Sequence, residues 1–156
     1  MDKMTLFALL LALLVTGGYV LSGRLKFQTN SDTVENKNPV VAEGKLTVEG
    51  KTITVEYART MGEQQVGLMN REHLDEDAGM LFVFSMALPR TFWNHNTQIP
   101  LDVIWIHGGV VIGVSNLPSI QEKSKTIISP GIADQVLEVN AGFAERYNIK
   151  KGSIIK

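Results

Sequence analysis

Arg71–Ile106 reads REHLDEDAGMLFVFSMALPRTFWNHNTQIPLDVIWI. These 36 residues hold an acidic turn, the apolar run Met80–Phe84, the polar segment Asn94–Gln98 and a second apolar run beginning at Leu101. Short, continuous apolar runs rich in Val, Ile and Phe read as strands buried on both faces. Met80–Phe84 is therefore expected to be a central strand, with another short element starting at Thr91–Trp93. No other part of the chain places so many polar side chains between segments that must be buried, so a site is expected here.

Outward from this stretch, apolar and polar residues alternate through Lys45–Ala58 on both sides of Glu49-Gly50. That pattern predicts a hairpin with Leu46, Val48, Ile53, Val55 and Tyr57 facing the core. Thr60 and Glu63 have capping-box spacing and open a helix predicted over Met61–Asn70, with Met61, Leu68 and Met69 on its buried side. Leu101–His107 and Val110–Ser115 flank Gly108-Gly109 as a second hairpin. Gln135–Val139 and Ser153–Ile155 complete the strands, and Asn140 is placed to cap a short helix over Ala141–Tyr147. The predicted class is α+β: a compact, mainly antiparallel β domain, barrel-like or a strongly twisted sheet, with two short helices.

The N-terminus carries a different signal. Twenty residues from Met4 to Gly23 have no charge, with Lys3 before them and Arg24 and Lys26 after. A helix of roughly 20 apolar residues crosses a hydrocarbon core of about 30 Å. The chain accordingly divides into an N-terminal transmembrane helix or signal segment over 1–23, a polar flexible linker over 24–44 and one globular domain over 45–156. An uncleaved anchor in the cytoplasmic membrane with the domain on the extracytoplasmic side is the favoured reading. The alternative is secretion after signal cleavage.

Composition removes several classes of function. A formal net charge of −1 gives no electrostatic case for nucleic acid, which would call for a basic face. The chain has no cysteine, which excludes disulfides, thiolate zinc sites and a cysteine nucleophile. Gly108, Gly109 and Gly113 precede Val and Ile rather than a helix, so a turn and a strand bulge explain them better than a phosphate loop. His73, His95 and His107 lack metal-ligand spacing. Glu72, Asp75, Glu76 and Asp77 lack the alternating oxygens of a calcium loop and read as a solvated acidic turn. No G-x-S-x-G elbow supports Ser85, Ser115 or Ser119 as a nucleophile. No cofactor and no metal are expected.

The segment from Trp93 to Asp102 stands apart. Asn94, His95, Asn96, Thr97 and Gln98 follow Phe92-Trp93, and Asp102 begins an apolar strand. A carboxylate buried there needs donors, either backbone N–H groups or an arginine such as Arg59 or Arg71. Two readings stay open: a loop whose Asn96, Thr97 and Asp102 hold backbone geometry, and a polar ligand pocket beside Trp93.

Four blocks carry a resemblance. Gly67-Leu68-Met69-x-Arg71, Gly79-Met80-Leu81-Phe82-x-Phe84, Phe92-Trp93-x-x-Asn96-Thr97-x-Ile99-Pro100-Leu101-Asp102 and Val136–Gly142 resemble, in order, the signature blocks of the domain of unknown function 192 family. The resemblance spans the domain and implies a β-rich α+β fold, often behind an N-terminal export signal, with no particular activity. Where the family usually has Met after Phe-Trp, this chain has Asn94, so a role for an apolar side chain there does not carry over. The matched polar or amphipathic positions are Arg71, Trp93, Asn96, Thr97, Asp102 and Glu138.

The leading functional expectation is a membrane-tethered domain that binds a small polar or cell-envelope-derived ligand through these six residues. A hydrolytic enzyme using Asp102 or His95 is the second. A structural or protein-interaction module is the third.

Overall fold

The alternation of Lys45–Ala58 becomes a hairpin, β1 (Glu43–Val48) and β2 (Lys51–Ala58), paired antiparallel. Its turn residues Glu49 and Gly50 both have positive φ, as a tight two-residue hairpin turn requires. Leu46, Val48, Ile53 and Val55 are buried, and Tyr57 packs against them half-buried. These observations come from a computed structural model that describes residues 42–156. The apolar segment 4–23 and nearly all of the linker lie outside the described residues. Among those described, no helix is long and apolar enough to cross a membrane.

The remaining elements are α1 (Met61–Val66), β3 (Ala78–Trp93), β4 (Leu101–His107), β5 (Val110–Leu117), β6 (Thr126–Asn140) and α2 (Phe143–Arg146). They form one six-stranded sheet of order β1-β2-β3-β6-β4-β5. Every neighbouring pair is antiparallel except β2–β3, which is parallel and needs the crossover through α1. The sheet is not closed, so the barrel-like alternative is not realised. β1 and β5 do not pair; the C-terminal residues touch both through the isolated bridges Val48–Ile155 and Val110–Ile154.

Both faces of the sheet centre are covered, which explains its continuous apolar runs. On β4, Leu101, Val103 and Trp105 join one core with Met80, Phe82 and Val136, while Ile104 and Ile106 join the opposite core with Leu81, Leu137 and Val139. The Gly108-Gly109 turn has positive φ at both glycines. Gly113 sits at a bulge where the β4–β5 register shifts, as the sequence suggests.

Several expected boundaries differ. The capping box is present, with Thr60 Oγ1 accepting from the Glu63 N–H at 3.2 Å and Glu63 accepting from the Thr60 N–H at 2.8 Å. The helix nevertheless stops at Val66, because Gly67 takes positive φ, and Met61 is left exposed. Met80–Phe84 and Thr91–Trp93 belong to one 16-residue strand, interrupted by register shifts rather than ended. The last helix starts after Gly142, and Asn140 does not cap it. The Asn140 side chain instead donates to the carbonyls of Leu74 and Asp75 at 2.9 and 3.0 Å.

Candidate functional site

Glu138 lies on β6 in register with Met80 on β3 and Val103 on β4. Paired residues point to the same face, so its carboxyl lies on the side that holds Phe82, Trp105 and Val136. It is 5% exposed, and among the described residues no side chain or backbone group hydrogen-bonds to it. Burial alone pushes its pKa up to about 8 from the ordinary 4.5, so the carboxyl is mainly protonated at neutral pH. An unpartnered buried carboxyl is costly unless something else is gained.

That carboxyl lines a narrow recess of about 30 Å³, room for one water-sized group. Gln64 and the Gly67–Met69 segment form one side, with Phe92, Trp93 and Thr97 on the other. Gly67 permits this close packing: its φ is +50°, and a Cβ there would lie 3.1 Å from Phe82 Cζ. The recess adjoins a groove of about 240 Å³ that shares Gln64, Phe82, Phe92 and Trp93 and adds Phe84, Pro89, Arg90 and Thr91. Together they make a cleft with aromatic walls and a single acid at the inner end.

Local contacts pack the cleft walls together. Phe82 and Phe92 meet edge-to-face at 4.9 Å, and Phe92 meets Trp105 likewise at 5.5 Å. The Arg90 guanidinium lies 3.7 Å from the Phe84 ring centre and donates to the carbonyls of Met86 and Ala133. Trp93 is 56% exposed, with the His95 ring 5.2 Å away. The Gln64 amide nitrogen donates to the carbonyls of Val83, Ala58 and Arg59, which orients its oxygen away from those contacts.

Three of the six sequence candidates, Trp93, Thr97 and Glu138, line the recess. The other three serve elsewhere. Asp102 faces the opposite side of the sheet, paired with Val139. Its donors are Asn116 Nδ2 at 2.6 Å and the Ala144 backbone N–H at 2.9 Å, rather than Arg59 or Arg71. Arg71 makes a bidentate pair with Glu56 at 2.5 and 2.6 Å, and that bond raises its pKa. Arg59 stacks over Tyr57. Asn96 adopts positive φ in the loop, where its carbonyl accepts from the Asn70 N–H at 2.8 Å. His95 is exposed and lies away from Asp102's donors. The acidic turn is solvated, with Glu72, Asp75, Glu76 and Asp77 all exposed.

Asn94, at the position that departs from the family pattern, is 1% exposed and fully bonded. Its amide donates to the carbonyls of Pro118 and Lys123, and its oxygen accepts from the Lys125 N–H. Gln64 and Arg90 escape sequence reasoning, since neither belongs to a motif with a chemical role. The only cue to Gln64 is its place one residue after the capping-box glutamate.

Comparisons with known proteins agree with this fold. The profile of the family described as DUF192, Uncharacterized ACR, matches residues 44–156. A protein of unknown function from Novosphingobium aromaticivorans is similar at 32% identity and a TM-score of 0.69, over 76% of this chain and 89% of that one. A Sinorhizobium meliloti protein proposed to be a transcription regulator is similar at 28% identity and a TM-score of 0.70, over 77% and 97% respectively. A comparison with curated proteins finds no match.

Proposed function

The chain belongs to the DUF192 family, Uncharacterized ACR, and from that premise we propose that it is a membrane-tethered, extracytoplasmic domain that binds a small polar or cell-envelope-derived ligand in the Glu138 cleft. The observation that carries this reading is Glu138, 5% exposed and without a hydrogen-bond partner among the described residues, at the inner end of an aromatic-walled cleft. A ligand that hydrogen-bonds to it offsets a burial cost that the described protein groups do not offset. The four blocks of the family resemblance add support, since each contributes to the lining: Gly67–Met69, Phe82, Phe92 with Trp93 and Thr97, and Glu138. The uncharged residues 4–23 supply the tether.

Asp102 draws less support as a hydrolytic base, because both of its oxygens already accept structural hydrogen bonds. A nucleic-acid role draws none from a net charge of −1.

Thermal-shift screening of the full-length chain with sugars, peptidoglycan fragments and metabolites tests the proposal. A ligand at a hundred times its Kd adds about 2.7 kcal/mol, enough to raise Tm by several degrees, and Glu138→Gln should remove most of that rise. A flat screen counts against binding. Protease accessibility in intact cells tests the side of the membrane.

A further inference from the structure

We infer that the recess is built for a primary ammonium group, so that the ligand of the cleft is an amine whose N–H donors are received by Glu138. This rests on the ligand-binding reading above and narrows it to one chemical class.

The polar groups around the recess are matched to donors. Gln64 spends its amide N–H groups on the carbonyls of Ala58, Arg59 and Val83, leaving its oxygen as the free end. Thr97 donates its hydroxyl proton to the His95 carbonyl at 3.2 Å, leaving oxygen lone pairs. Glu138 has no partner among the described residues. Gln64 and Thr97 thus offer oxygens to a space of about 30 Å³, and Glu138 adds a carboxylate once its proton leaves. An ammonium is compact and carries three N–H donors and no acceptor. A carboxylate carries no donor for the Gln64 and Thr97 oxygens.

The surroundings suit the same group. Phe92 and Trp93 line both recess and groove, and aromatic faces attract cations. The charged and titratable groups along the cleft are Glu138 in the recess, Arg90 in the groove and His95 against Trp93. Helix α1 and residues 67–69 present no charged side chain to the recess. Arg90 is held by the Met86 and Ala133 carbonyls and the Phe84 ring, so it does not supply the missing partner of Glu138.

Binding has a defined proton balance. At neutral pH the buried carboxyl holds its proton. An arriving ammonium converts it to carboxylate, the proton leaves to solvent, and the ion pair forms without net charge in the recess.

The test is calorimetry on the full-length chain at pH 6.5 with benzylammonium and benzyl alcohol, in buffers of different ionisation enthalpy. The inference expects benzylammonium to bind about tenfold or more tightly than benzyl alcohol and to release nearly one proton per molecule bound. Glu138→Gln should abolish both the preference and the release. Trp93→Ala, a change at an exposed position, should weaken both probes together. Equal binding of the two probes, or an ammonium preference that survives Glu138→Gln, overturns the amine assignment and leaves the cleft reading standing. Failure of both probes overturns the amine assignment, and the ligand screen then decides the cleft reading separately.

Discussion

Asp102 Oδ2 accepts a hydrogen bond at 2.9 Å from the backbone N–H of Ala144, 42 positions along the chain. Helix α2 begins after Gly142, which has no side chain to cap it, and the carboxylate on β4 supplies the cap. The second oxygen is held by Asn116 at 2.6 Å. Asp102 therefore fastens the last helix to the sheet.

Asp102→Ala should destabilise the protein by about 2–4 kcal/mol, since it orphans a buried N–H and the Asn116 amide. Asp102→Asn keeps one acceptor and should lose about half as much. Urea denaturation measures both. Neither change should alter ligand affinity, because Asp102 faces away from the cleft.

The Arg71–Glu56 pair is partly buried, with both side chains 20% exposed. Glu56→Ala leaves the guanidinium without its partner and should cost about 2 kcal/mol. Removing both charges by Arg71→Met with Glu56→Leu should cost less than that single change. A double-mutant cycle that finds simple additivity would contradict the coupling.

Asn94 fixes the segment from Pro118 to Lys125 through three side-chain hydrogen bonds. Asn94→Met removes the buried partner of two partly exposed carbonyls and an N–H, for an expected cost of about 1–3 kcal/mol. Faster amide exchange at Lys125 is the local signature.

Glu138 makes stability depend on pH with a defined sign. Its folded pKa of about 8 stands above the ordinary 4.5, so the unfolded chain loses its proton first as pH rises. The associated stability is fully present below pH 4.5 and is lost as pH rises through about 8, with a slope of up to about 1.4 kcal/mol per unit. Glu138→Gln should remove that slope and be the more stable form at the alkaline end. Parallel Tm profiles for the two proteins would contradict it.

The hairpins are legible in the sequence because one feature decides each of them. Alternation across Glu49-Gly50 and the paired glycines before Val110 admit few other structures. The extent of β3 is not legible, since Ser85, Pro89 and Arg90 break its apolar pattern while bulges let the strand continue. The start of β6 is hidden likewise by Pro130-Gly131. Trp93, Thr97 and Glu138 stand out in the sequence as polar or amphipathic members of the matched blocks, but their meeting with Gln64 does not. That meeting depends on the crossover that lays α1 and Gly67–Met69 over the central strands. Asp102 reads as a site residue for a physical reason: a carboxylate in an apolar strand is costly wherever it sits, and sequence does not say which face it occupies.

The central claim is that the Glu138 cleft is a ligand site, and an NMR titration of the isotope-labelled full-length chain with the compounds selected by thermal shift tests it most directly. The account predicts shift changes concentrated at Gly67, Met69, the Trp93 indole and the Glu138 carboxyl, and lost in Glu138→Gln. Changes concentrated instead on the opposite face, around Ala144 and Val139, or unaffected by Glu138→Gln, would contradict it.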